Sequence, residues 1–159
     1  MHAAQDAPRG ARPLTLADFE GRWSLVREIE GPEGRARFEG EARLIEAKDH
    51  HLWVERGALT MPHGASVPAE RRYLWREGPE GIEVLFEDGR PFHVIRQDGG
   101  EIVHDCPPDT YRGAYDFGAF PVWRLTWRVT GPRKDYLSQT VHRRLAPSAR
   151  PRDTAADHA

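Results

Sequence analysis

The stretch from Ile82 to Cys106, I-E-V-L-F-E-D-G-R-P-F-H-V-I-R-Q-D-G-G-E-I-V-H-D-C, constrains this chain more than any other. Apolar and polar residues alternate along it. Asp88-Gly89 and Asp98-Gly99 are dipeptides that accept positive φ at a two-residue hairpin turn. The spacing predicts three antiparallel strands in one register, with Val84 facing His93, His93 facing His104, and Ile82, Ile95 and Ile102 one row away on the same face. Glu83, Glu87, Arg90, Arg96, Glu101 and Asp105 take the opposite face, so both histidines point inward.

The same period of two runs through most of the chain. Trp23 to Ile29 reads as a first strand, ended by Gly31-Pro32-Glu33-Gly34. From Arg35 to Glu46 an inward row of Ala36, Phe38, Gly40, Ala42 and Leu44 alternates with charged residues. Its small side chains leave room inside a sheet that closes on itself. His50 to Met61 gives a third strand, with Gly57 marking a bend, and pairing across Lys48-Asp49 places Trp53 and Glu55 inward beside Leu44 and Ala42. After a loop from Pro62 to Pro68, Arg71 to Glu77 sets Trp75 against Val84 and Tyr73 against Phe86. Pro107-Pro108 turns the chain so that Tyr111 opposes His104 and Gly113 opposes Ile102. In the last hairpin Tyr136, Ser138, Thr140 and His142 face Val129, Trp127, Leu125 and Trp123. Ahead of the strands, Thr15 as N-cap, Asp18, the apolar pair Leu14 and Phe19, and Gly21 delimit a short helix.

The expectation is an all-β domain over residues 14–145: a single up-and-down antiparallel meander barrel of about ten strands with a short N-terminal helix. A two-sheet sandwich is the alternative. Residues 1–13 and 146–159, rich in Ala, Pro, Arg and Asp, are predicted to be disordered tails.

Composition narrows the partners. A chain of 159 residues is one domain's worth, and its net charge of −2 is spread evenly, which argues against nucleic acid and anionic membranes. No segment approaches the roughly 20 apolar residues that span a bilayer. One cysteine precludes an internal disulfide, and the N-terminus lacks a signal peptide's apolar run, so a cytoplasmic location is expected.

A short helix running into Gly21-Arg22-Trp23, then a meander, then a last strand with Arg143-Arg144, resembles the lipocalin and fatty-acid-binding superfamily, the calycins. The resemblance implies that Trp23 plugs a closed end and that Arg144 or Arg143 covers it. The segments F-E-D-G-R-P-F-H, H-D-C-P-P-D-x-Y and W-x-V-x-G-P-R-K-D-Y look like those of a family of small lipocalin-like bacterial domains of unknown function, over roughly residues 19 to 145. The glycine-rich first-strand signature of haem-binding nitrobindins is absent, which argues against haem.

The inward row Trp75, Val84, His93, His104 and Tyr111 is the sharpest candidate site, because cross-strand neighbours about 5 Å apart could bring two imidazoles and a phenol onto one small group. A hydrogen-bonded core network is the competing reading. The leading functional expectation is a barrel that binds a small amphipathic or aromatic molecule. Its apolar part would lie among Tyr73, Trp75, Phe86, Trp123 and Trp127, and its polar end near His93, His104 and Tyr111. Glu55 and the stripe Tyr136 to His142 complete the lining. The runner-up is an enzyme that uses His or Glu55 for acid-base chemistry in the same cavity. A metal or haem site drawing on His93, His104, Cys106, Glu55 or His142 is a narrower alternative, and no metal, cofactor or catalytic residue is assigned. Cys106 near His104 could be an activated nucleophile or a small buried hydrophobe. A filled barrel acting through its surface is the third possibility.

Overall fold

The computed structural model describes residues 12–147. A four-residue helix, α1 (Leu16–Phe19), precedes ten strands: β1 (Gly21–Gly31), β2 (Gly34–Glu46), β3 (His51–Thr60), β4 (Ser66–Glu77), β5 (Ile82–Leu85), β6 (Pro91–Ile95), β7 (Gly100–Cys106), β8 (Asp109–Ala119), β9 (Val122–Thr130) and β10 (Asp135–Arg144). They form one antiparallel sheet in the order β6-β5-β4-β3-β2-β1-β10-β9-β8-β7. Because β6 and β7 are consecutive in the chain, the sheet curls round until its two edges lie side by side. The result is an all-β, lipocalin-like barrel, nearly closed. The disorder expected at the ends concerns chiefly residues 1–11 and 148–159, which lie outside the described residues.

Most predicted registers are present. Leu44 pairs with Trp53 and Ala42 with Glu55. Trp75 pairs with Val84, His104 with Tyr111, Trp127 with Ser138, and Trp123 with His142. Ile82, Ile95 and Ile102 are all buried.

Four expectations need correction. No ladder joins His93 to His104: β6 and β7 are the sheet's two edges, and consecutive positive-φ glycines, Gly99 and Gly100, lead the chain out of the Arg96–Gly99 turn so that the strands part. The turn at Asp88-Gly89 holds three residues rather than two, since the Phe86 N–H bonds the Arg90 carbonyl. A bulge between Val84 and Leu85 then restores the predicted Val84–His93 pairing and leaves Phe92 as the extra residue. Gly57 marks no bulge; the ladder runs through it opposite Gly40, and a Cβ on either would meet the neighbouring strand's carbonyl oxygen at 2.1 Å. Finally, β4 starts at Ser66, within the predicted loop. Only Leu74 to Glu77 pair with β5, so Pro68 sits where the far side of β4 has no partner and its missing N–H interrupts nothing there.

The core gathers at one end. Phe19 and Trp23 are fully buried, and Phe19 meets Trp75 and Trp123 edge-on at centroid distances of 5.6 and 5.3 Å. The Trp23 indole N–H donates to the Phe19 carbonyl at 2.8 Å. Arg144, rather than Arg143, covers it, with its guanidinium 4.2 Å from the Trp23 ring centroid while donating to the Glu20 and Asp18 carbonyls. The helix that closes this end is held locally by Asp18, whose carboxylate accepts the Thr15 N–H at 2.7 Å, and to β4 by Glu77, which accepts the Leu16 N–H at 3.0 Å. No helix among the described residues is long and apolar enough to cross a membrane.

Candidate functional site

Above this plug the barrel is hollow. A chamber of about 790 Å³ occupies its upper half, floored by a smaller cavity of about 50 Å³ and flanked by one of about 60 Å³. Alternation along the strands decides what faces in: Trp23, Leu25, Arg27 and Ile29 from β1, Trp53 and Glu55 from β3, Arg71, Tyr73 and Trp75 from β4. The chamber's wall is aromatic. Phe92 stacks on Phe86 at 4.7 Å and on Trp127 at 5.4 Å, and Tyr73 lies 5.7 Å from Phe92. At the mouth stand Arg90, Asp105, exposed Cys106 and Pro107.

All ten residues expected at the site line one of these cavities. His104, Tyr111, Phe86 and Tyr136 border the chamber; Trp75, His93 and His142 border the small floor cavity. Tyr73 and Trp127 border both, and Glu55 joins the floor and flanking cavities. His104 and Tyr111 of the predicted row are neighbours, their rings 5.8 Å apart, but His93 does not converge with them. The bulge turns Phe92 inward beside His93, so its ring stands 4.4 Å from His93 and 5.1 Å from His104. His93 instead bonds the Tyr115 hydroxyl through Nε2 at 2.9 Å, and the Tyr111 hydroxyl accepts from Lys134 at 2.9 Å.

The electrostatic centre is a buried ion pair of Glu55 with an arginine, Arg27, that the sequence pattern does not single out. Arg27 donates to both Glu55 oxygens at 3.1 and 3.3 Å and to Thr140 Oγ1 at 2.8 Å, and the Trp53 indole N–H donates to Glu55 at 2.9 Å. Burial pushes the Glu55 pKa up, but the Arg27 charge and these hydrogen bonds outweigh it and hold the carboxyl below its ordinary value. Burial pushes His142 down to about 3; it is 1% exposed and stacked on Trp123 at 3.5 Å. His93 is also pushed down to about 3, by burial and then by His104. Both imidazoles are therefore neutral. Burial raises the Tyr115 pKa, which keeps its hydroxyl a neutral partner for His93.

Arg27, Arg71, Phe92 and Tyr115 lie at the site without belonging to the set that the sequence pattern marks. Arg27 and Arg71 were visible in principle, since Arg27 continues the inward row from Trp23, and Arg71 opens the predicted fourth strand in step with Tyr73 and Trp75 and falls opposite Glu55. Tyr115 follows from the Tyr111, Gly113 alternation. Phe92 carried no signal, because strict alternation puts it outside. Among the described residues no group of three or more His, Cys, Asp or Glu is placed to hold a metal ion.

Residues 19–144 match a family described as "Family of unknown function (DUF6314)". No curated protein matches the chain. Among solved structures, the S-type phycobiliprotein lyase CPES from Guillardia theta is similar, with a TM-score of 0.59, 7% identity, and coverage of 82% of this chain and 90% of that one. At that identity the likeness concerns the fold alone.

Proposed function

The chain belongs to the DUF6314 family, and from that premise we propose that it is a binding barrel whose chamber takes one small amphipathic molecule with a flat aromatic or conjugated body. The observation that carries this reading is the chamber itself: about 790 Å³, within the range of small-molecule sites, and walled by the stacked rings of Phe86, Phe92 and Trp127. Such walls reward a ligand with π-faces, while His104, Tyr111 and Tyr136 offer polar contacts beside them.

A barrel of similar fold belongs to a phycobiliprotein lyase, so the architecture alone is compatible with catalysis too. Acid-base catalysis asks for a group that exchanges protons near neutrality. Glu55 is engaged by Arg27 and Trp53, and His93 and His142 are held neutral, which takes these three out of such a role and leaves His104 at the chamber wall as the remaining imidazole.

Two measurements test the reading. Native mass spectrometry of freshly purified protein is expected to reveal a stoichiometric adduct that is lost on denaturation. The uncharged aromatic probe N-phenyl-1-naphthylamine is expected to bind one per chain with enhanced fluorescence, and Trp127→Ala to weaken it by about tenfold, the loss of one stacked ring. Absence of both adduct and probe binding would reject the reading.

A further inference from the structure

The interior holds more positive charge and more hydrogen-bond donors than it can satisfy. Arg27 and Arg71 both face inward, and the carboxylate at their level is Glu55 alone. Both Glu55 oxygens are occupied by Arg27, and one also accepts from Trp53. The other carboxylates bordering these cavities serve elsewhere: Asp105 stands at the mouth, and Glu70 is held by Arg56 and Arg72. Among the described residues Arg71 has no carboxylate within ion-pair distance, although Glu55 acts on it through space. An interior guanidinium stays charged and demands a counter-charge or water.

The position of Arg71 matters as much as its charge. It borders the chamber, the floor cavity and the flanking cavity, and so stands at their junction, exposed to the hollow. Its guanidinium donates a hydrogen bond to the Tyr73 hydroxyl and has Tyr136 close by, and both tyrosines border the chamber. Beneath, the indole N–H groups of Trp75 and Trp123 are enclosed beside the floor cavity and meet no acceptor among the described residues, which leaves the floor electropositive. A guanidinium has five N–H groups, and those of Arg71 left over after Tyr73 select a group rich in acceptor oxygens.

We infer that the ligand enters with an anionic oxygen group leading, a carboxylate, sulfonate or phosphate, and that Arg71 holds this group at the chamber floor while the flat body stacks against Phe92 and Trp127. The inference rests on the binding reading above and adds to it a ligand charge, an orientation and an anchoring residue. Arg27 is not that anchor, because its charge is already paired with Glu55 and three of its five N–H groups are committed to Glu55 and Thr140. Arg90, the other arginine of the chamber, lies at the rim bonded to Asp88 at 2.7 Å.

The test uses two probes that differ by one group: N-phenyl-1-naphthylamine, and 8-anilinonaphthalene-1-sulfonate, which adds a sulfonate to the same ring system. Each is titrated into the wild-type protein and into Arg71→Met, Arg71→Lys and Arg90→Met. The sulfonate probe is expected to displace the neutral one competitively, and Arg71→Met to weaken the sulfonate probe tenfold or more while the neutral probe stays within twofold. Arg71→Lys is expected to restore part of that loss, since the charge returns without the planar fork. Parallel loss of both probes, no loss of either, or a loss that follows Arg90→Met instead overturns the inference while leaving a binding chamber in place. If neither probe binds the wild type, the binding reading itself falls, and the inference with it.

Discussion

A histidine buried at the centre of an aromatic stack is a statement about pH. His142 lies flat on Trp123, and its Nδ1 is 3.2 Å from the Trp123 carbonyl. Burial favours the neutral ring and lowers the folded-state pKa to about 3 from an ordinary 6.5. The unfolded chain therefore binds one more proton than the folded chain between those values. Stability due to this residue is complete above pH 6.5 and declines as the pH falls towards 3. From pH 7 to pH 5 the loss is roughly 2 kcal/mol for one such group. His93, shifted in the same direction, adds to the loss. Urea unfolding at pH 7 and pH 5 is expected to show this fall, and His142→Phe to flatten it by about half. An equally steep fall in His142→Phe would assign the acid sensitivity elsewhere, Glu55 contributing only below about pH 4.5 because its folded pKa is depressed.

At the scale of the strand, the bulge in β6 does for the chamber what alternation cannot. It inserts one residue between two stretches of correct register, Val84 with His93 and Leu85 with Pro91, and so presents two consecutive rings, Phe92 and His93, to the interior. Deleting Phe92 would bring Pro91 and His93 into regular succession without shifting either stretch. The deletion variant is therefore expected to fold, at a cost of about 1–2 kcal/mol for one half-buried ring, and to lose stacking affinity for N-phenyl-1-naphthylamine as Phe92→Ala does. Failure of the deletion variant to fold, with Phe92→Ala intact, would mean that the bulge is structural rather than a lining device. The same strand marks the limit of sequence reading here. Register across β2 and β3, β7 and β8, and β9 and β10 was legible because one buried face enforces the period of two. The three-residue turn and its compensating bulge were not, because Asp88-Gly89 suits either loop length and Phe92 is apolar on either face. Nor was the parting of β6 from β7, where Gly99 and Gly100 together change the direction that Asp98-Gly99 suggested.

The whole barrel depends on why its middle is polar. Arg27 on β1 and Glu55 on β3 are separated by β2, and they meet because β2 offers small residues there: Ala42 pairs with both Trp23 and Glu55, and Gly40 with both Leu25 and Gly57. The small inward row legible in the sequence thus gives way to a bridge between strands as much as to empty space. With Thr140 of β10 included, the bridge spans the continuous run β10, β1, β2 and β3. Side chains of Arg27 and Glu55 are only 7% and 6% exposed, so each ion is uncompensated if the other is removed. Arg27→Met and Glu55→Gln are each expected to cost about 3–5 kcal/mol in urea unfolding at pH 7. Replacing both by apolar residues of similar length, Arg27→Met with Glu55→Met, is expected to cost less than either single change, because neither ion of the pair is left without the other. Arg71 makes the cycle informative. With Glu55 gone it loses the carboxylate that acts on it through space, so the double variant is expected to keep a residual deficit that shrinks on adding 8-anilinonaphthalene-1-sulfonate. Strictly additive costs would mean that Arg27 and Glu55 stabilise the barrel independently, and the bridge over β2 would then be a contact without coupling.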